Sequence, residues 1–560
     1  MPELSRKRKC LSSSSHSVVL KRPYNYKRLD FTKSLLSNEL VLHIFSFLSA
    51  SDLARCAKVS TSWSRLANDE TLWKPLFLRR FRNPLLVDMK EHPKLLKRWS
   101  ERAHCRNHSK KRARLEWKSM YKTNHNWRSG KCRLTCVDVG GEQEKSVTTD
   151  SVSNVRSYVQ FAHDILYIAY TTVPLIEIWH IKNSRHPVML RQLETTTTTT
   201  TTTPVSNIEQ ISCLKLDTST LGLHRLVVGY VGGGLSVWEI NWTDSGRCSA
   251  SEVAVYTPKV TRMGRIVSIG VSYPMLLTCS SDMRLSAFCL DSSSRTRGKV
   301  TAQARLVYEL QSHIQWSPIS VELDKLDHTE NRWRAMICFG MPVGLNTYSV
   351  GIQEVILSTD TLISSRHCAA LSQEDLFFAS PLSSHTLPEC SQQPITAISY
   401  SEPYLITAHA NNTIKQYYVR FSEKKMELIY AQTLYGHTSK VSALALDASI
   451  GRLVSGDRFG LKVWDISCSG RLNVKHDEPG NHSNDQVAFY QRRRITGTEY
   501  IVSIDGAIEK TTSKDNVSFR DMEWLQFDSD KIVAVVRDES KVNSEREKVS
   551  VRIWSFSDAS

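Results

Sequence analysis

Two hydrophobic periods alternate along this chain. Between Leu35 and Phe81 the apolar residues recur at helical spacing, with Leu40, Ile44 and Leu48 on one face and Val41 and Phe45 beside them, which predicts a first helix. Ser51 is a suitable N-cap for a second, carrying Leu53, Ala57 and Val59 on toward Trp63 and Leu66; Asp69 is placed to start a third with Leu72, Trp73 and Leu76. Three short helices cannot bury this much apolar surface well by themselves, so the surplus points to a partner. Residues 91–126 read as further helix.

From Lys131 onward the period drops to two. A short pattern recurs seven times: an aliphatic residue, two variable ones, an aromatic, one variable residue and an apolar one. The aromatics are Trp179, Trp238, Phe288, Tyr348, Tyr417, Trp464 and Trp554. Each follows a strand-like run, such as Leu166 to Tyr170 or Ile532 to Val536, and several of those follow an alternating run, such as Ile211 to Asp217 or Ile395 to Ser401. Gly, Asn, Asp and Ser stand at the breaks, and Gly232 to Gly234 fill one tight turn. Antiparallel meanders repeated in this way predict an all-β propeller of seven blades. Tyr500 to Ile504 would supply part of an eighth if it nucleated its own sheet, and Lys131 to Val139 alternates suitably to close the last blade.

Tyr435-Gly436-His437 through Trp464-Asp465 resembles a WD repeat, while the remaining units lack the Gly-His and Trp-Asp pairs. On that reading the buried His–Asp network is mostly missing and the blades must rest on apolar and aromatic packing. Upstream, Leu36-Ser37-Asn38-Glu39-Leu40, Ile44-Phe45-Ser46-Phe47-Leu48, Asp52-Leu53, Val59, Trp63, Leu66 and Leu72-Trp73 resemble the F-box, with Ser37 where that family usually carries proline. Together the two resemblances place the chain beside the F-box/WD-repeat proteins. They imply a basic tail at 1–30, an F-box at 31–82, a helical linker at 83–130 and a propeller at 131–560. They also imply docking on the Skp adaptor, and through it a cullin, by Leu36, Leu40, Ile44, Phe45, Leu48, Leu53, Val59 and Trp63.

Charge sharpens this division. The formal net charge is +17, but residues 1–130 hold 29 Lys and Arg against 10 Asp and Glu, whereas 131–560 hold 44 against 46. A neutral propeller lacks the basic face that a polyanion groove needs. The run Arg6, Lys7, Arg8, Lys9 suits an import signal, so nucleus and cytoplasm are the expected compartments. Lys110, Lys111, Arg112 and Arg114 read as a solvated helical face, and Thr195 to Thr203 as a low-complexity loop. No apolar run is long enough for a membrane span. Thirteen scattered cysteines without a C-x-x-C pair read as reduced thiols, so neither a metal nor a cofactor is expected.

No P-loop, H-E-x-x-H or G-x-S-x-G is present, so the chemistry expected is recruitment rather than catalysis. The leading expectation is the substrate-recognition subunit of an SCF-type ubiquitin ligase, with ubiquitin transfer left to an associated conjugating enzyme. Arg262, Arg265, Arg284 and Arg458 map to one propeller face and could read a phosphorylated protein substrate by bidentate pairing. The alternative is a WD-repeat scaffold of a nuclear chromatin or RNA complex without a ligase role.

Overall fold

Serine hydroxyls start three of the N-terminal helices. In the computed structural model Ser37 has extended backbone, φ −70° and ψ 156°, and accepts from the Leu40 N–H at 3.5 Å, capping helix α1, Asn38–Phe45. Serine at the usual proline position therefore preserves the helix start. The next cap is Ser49 rather than Ser51: its hydroxyl accepts from the Asp52 N–H at 3.3 Å ahead of α2, Ala50–Cys56. The expected long second helix is interrupted at Ala57 to Ser60, where Ser60 takes over as cap, accepting from the Trp63 N–H at 3.2 Å to begin α3, Thr61–Ala67. Asp69 accepts from the Thr71 N–H at 2.9 Å as α4, Glu70–Phe81, begins.

The described residues are 36–81, 117–138, 157–195, 210–290, 302–370, 393–466, 502–505, 519–538 and 548–557, apart from short turns within those stretches. Arg6 to Lys9, the basic cluster at 110–114, Arg262, the threonine tract beyond Thr195 and most of 467–520 lie outside them. The chain divides into two units, Met1–Arg80 and Phe81–Ser560. In the first, Val41, Phe45, Leu53, Leu66, Leu72, Trp73 and Phe77 form the buried core, with the Phe45 and Trp63 ring centroids 5.4 Å apart.

The second unit contains seven sheets of propeller-blade topology. Blade 1 runs Ser157–Ala162, Ile165–Tyr170, Leu175–His180 and Val188–Glu194; blade 2 runs Ile211–Asp217, His224–Tyr230, Leu235–Trp242 and Cys248–Tyr256. Blade 3 is Ile266–Ser272, Met275–Ser280, Arg284–Cys289 and Arg305–Gln311; blade 4 is Ile319–Lys325, Arg332–Gly344, Thr347–Ser358 and Leu362–Ala369. Blade 5 is Ile395–Ser401, Tyr404–His409, Ile414–Phe421 and Met426–Leu434; blade 6 is Ala443–Asp447, Arg452–Asp457, Gly460–Asp465 and Val502–Asp505. Blade 7 combines Phe519–Phe527, Lys531–Asp538 and Lys548–Ser555 with Arg133–Asp138, whose Leu134 lies opposite Trp554.

That last pairing closes the ring as the alternation at 131–139 predicts, and it covers an edge that would otherwise expose unpaired backbone groups. The strand near 500 builds no eighth blade. Val502–Asp505 pairs with Gly460–Asp465 and completes blade 6. The outer strand of blade 4, Leu362–Ala369, takes in Ser364 and Ser365.

Blade 4 also departs from the aromatic repeat. In blades 3 and 5 the residue after the first hairpin pairing faces the aromatic, Leu276 opposite Phe288 and Leu405 opposite Tyr417. The corresponding residue in blade 4 is Arg334, and its partner is Ile356. Tyr348 sits eight residues earlier, opposite Pro342, because this hairpin carries 13- and 12-residue strands. Adjacent blades share apolar clusters, for instance Leu166 and Ile168 of blade 1 with Val533, Val535, Val551 and Ile553 of blade 7. Each sheet is thus buried on both faces, which is why the second strands read as unbroken apolar runs.

Candidate docking faces

The first unit leaves apolar side chains outside its core. Leu40, Ile44 and Phe47 are 53%, 47% and 78% exposed, and Val59 is 63% exposed. The first three follow the i, i+4, i+7 spacing of one helical face. Leu36, Leu48 and Trp63 are half-buried. Phe45 and Leu53, also expected in the contact set, are 2% and 0% exposed and hold the helices together. Phe47, which is not in the expected contact set, is the most exposed of these side chains. Helix α1 ends at Phe45 and the chain tightens, with Phe47 N–H bonding Ile44 O and Leu48 N–H bonding Phe45 O; Phe47 stays out and Leu48 turns partly in. The 40/44/47 spacing was the signal available for it.

In the second unit, helix α5, Trp117–Ser129, packs on blades 6 and 7. Asn126 donates from Nδ2 to Phe556 O at 2.8 Å, Trp127 donates from Nε1 to Ser529 O at 2.9 Å, and the Trp127 ring stacks on Phe556 with centroids 3.8 Å apart. The Arg452 guanidinium lies 4.0 Å from the Trp127 centroid. Burial pulls the Arg452 pKa down to about 10 against the opposing fields of Asp465 and Asp447. The end of the expected linker is thus an ordered part of the propeller, while 82–116 lie outside the described residues.

The loops entering the blades and the turns between their second and third strands share one rim. On blade 6, His437 Nδ1 lies 2.9 Å from Asp457 Oδ2 and Nε2 lies 2.6 Å from Ser455 Oγ, which also accepts from Trp464 Nε1 at 2.7 Å. Burial raises the Asp457 pKa, but the His437 hydrogen bond and N–H groups from Phe459 and Gly460 outweigh it and hold the carboxyl below its ordinary value. Elsewhere the aromatics that pack the blades also make polar contacts. Glu177 accepts from both Tyr170 and Trp179 at 2.9 Å in blade 1, and in blade 2 Ser236 meets Tyr230 at 2.8 Å and accepts from Trp238 at 3.1 Å. A tyrosine at the end of the second strand replaces the histidine there.

Three of the four nominated arginines fall among the described residues. Arg262 lies outside the described residues; Arg265 is exposed ahead of blade 3. Arg284 is already committed, with Nε 3.1 Å from Asp282 and Nη1 3.2 Å from Glu309, so two carboxylates occupy the fork that a phosphate would need. Arg458 is exposed on blade 6, separated from blade 3 by blades 4 and 5. Among the described residues no cluster of His, Cys, Asp or Glu has metal-binding geometry, no cysteine is in a disulfide, and no helix is long and apolar enough to cross a membrane.

Comparison with known proteins agrees with this division. The family described as F-box protein pof12 beta-propeller matches residues 143–545, and the F-box-like family matches 38–79. F-box protein pof12 of Schizosaccharomyces pombe is 22% identical over 444 residues, covering 77% of this chain and 84% of that protein. F-box/LRR-repeat protein 5 of Mus musculus is 50% identical over 42 residues, 8% of this chain and 6% of its own length, so that likeness is confined to a short segment. Among solved structures, Saccharomyces cerevisiae Sqt1 covers 75% of this chain and 88% of its own at 12% identity, with a TM-score of 0.37.

Proposed function

Because the chain belongs to the F-box protein pof12 β-propeller family, we propose that it is the substrate-recognition subunit of an SCF-type ubiquitin ligase. The F-box docks on the Skp adaptor, the adaptor links it to a cullin, and the propeller holds the protein to be ubiquitinated. The observation that carries this reading is the set of exposed apolar side chains, Leu40, Ile44, Phe47 and Val59, within the segment matched by the F-box-like family. Leaving large apolar groups in water is unfavourable by roughly 25 cal/mol per Å², and burying them against a partner recovers that free energy. Recruitment then accelerates transfer by raising the effective concentration of substrate beside the conjugating enzyme, with no catalytic group required of this chain. The tail residues Arg6 to Lys9 supply nuclear import in the same proposal, with action in nucleus and cytoplasm.

The test is co-purification of the adaptor and a cullin with the full chain and with an Ile44→Asp, Phe47→Asp double variant. Loss in the variant, with its circular dichroism unchanged, is the expected result. Absence of the adaptor from the wild-type chain, or its full retention by the folded variant, would refute the proposal.

A further inference from the structure

We infer that the blade 6 rim is where the propeller grips its partner, and that the partner presents an acidic peptide segment carrying an apolar side chain. This deepens the receptor reading above and rests on it. Two stretches of chain meet at this rim, Tyr435 to Ser442 and Gly456 to Gly460. They are tied by the 2.9 Å contact between His437 and Asp457 and by the Ser442 N–H, which donates to Gly456 O at 3.0 Å. Gly436 and Gly460 adopt φ of 150° and 146°, backbone that side-chain-bearing residues rarely take, which is why glycine stands at both turns.

On this braced base stand two aromatics in water. Tyr435 is 69% exposed and Phe459 is 56% exposed, whereas Trp464 of the same blade is buried. Exposed rings held on a rigid base can bury area against a ligand with little ordering cost, and Tyr is enriched among the residues that dominate binding energy. Two exposed cations lie on the same two stretches. Lys440 is exposed two residues before Ser442, and Arg458, exposed two residues after Gly456, lies with its guanidinium 5.2 Å from the Phe459 centroid.

The neighbouring acid does not neutralise this charge. Asp457 turns its carboxylate inward: Oδ2 meets His437, and Oδ1 accepts from the Phe459 and Gly460 N–H groups at 2.8 and 3.1 Å. The rim therefore carries exposed apolar rings together with exposed positive charges, which complements carboxylates accompanying an aliphatic or aromatic residue. Aromatics beside cations also suit single-stranded nucleic acid, but charge decides against it. Two cations on a propeller segment with 44 basic and 46 acidic residues fall short of the roughly six to ten phosphate contacts of a nucleic-acid site.

The test is selection of a random-peptide display library on the full chain, followed by fluorescence anisotropy of the selected peptides. Expected are sequences with Asp or Glu flanking an apolar residue. Their Kd should rise about tenfold or more in Lys440→Glu/Arg458→Glu and in Tyr435→Ala/Phe459→Ala, and stay unchanged in Arg420→Glu, an exposed cation of blade 5. The inference is overturned if no acidic peptide is selected, if the rim variants bind within less than that factor, or if an oligothymidine displaces the peptide as well as an acidic competitor does. Adaptor co-purification on the same preparations separates the two readings. A chain that binds the adaptor but fails these criteria refutes the rim assignment alone, and one that does not bind the adaptor refutes the receptor reading.

Discussion

Replacing Trp127 by alanine should release helix α5 from the propeller while leaving the blades paired. The side chain is 1% exposed, stacks on Phe556 with centroids 3.8 Å apart, lies under the Arg452 guanidinium and donates to Ser529 O at 2.9 Å. Truncating a buried aromatic of this size costs about 3–5 kcal/mol. The loss falls on docking of α5, because blades 6 and 7 keep their own strand ladders in its absence. Amide hydrogen exchange of residues 117–129 reads this directly: at about 1.4 kcal/mol per tenfold, exchange should speed roughly 100- to 4,000-fold. Trp127→Phe keeps a ring on Phe556 and gives up the hydrogen bond, worth about 1 kcal/mol, so it should speed exchange by roughly fivefold. Protection of α5 in Trp127→Ala close to that of the wild type would refute the argument that this residue fastens the helix. Equal loss of protection in every blade would refute the claim that the helix is separable from the ring.

Three other perturbations probe separate features. A Cβ on Gly456 would stand 2.1 Å from Met522 Sδ, so Gly456→Ala should destabilise the propeller by about 1–3 kcal/mol in urea unfolding; Met522→Ala should relieve much of that clash in a double-mutant cycle, and additivity would contradict the clash. Burial, aided by His163, pulls the His224 pKa from 6.5 to about 3, and burial with Lys415 pulls His409 to about 4. Neutral imidazole is favoured in the fold, so this stability is fully present above pH 6.5 and is lost as pH falls toward 4 and 3. At pH 5 each histidine should have cost the protein about 2 kcal/mol, a slope that His224→Gln should roughly halve; a melting temperature equal at pH 7 and 5 would contradict this. Phe45→Ala should unfold the helical unit by removing about 3–5 kcal/mol from its core, whereas Phe47→Ala should leave its helicity intact and weaken adaptor binding; equal thermal stability of the two would reverse their assigned roles.

The amino-acid pattern alone determined the elements and their kind. Helical spacing of Val41, Phe45 and Leu53 set a small helical unit, and period-two runs with seven third-strand units set a propeller, since those features act between neighbours along the chain. Closure by Arg133–Asp138 was legible too, because an alternating run beside an open sheet edge has one favourable use. What tertiary structure decided was pairing and orientation. Val502–Asp505 joined blade 6 because the chain after Asp465 returns to that edge, a choice fixed by space rather than by local pattern. Ile356 rather than Tyr348 took the third-strand position in blade 4, since strand length there is set by pairing with Arg332–Gly344. The division of the apolar F-box residues into core and face depended on the turn after Phe45, which rotates Phe47 outward. Arginine convergence could not be read from spacing at all: Arg284 found Asp282 and Glu309, and Arg458 found Phe459, because partners across a sheet or turn are chosen by distance in the folded ring.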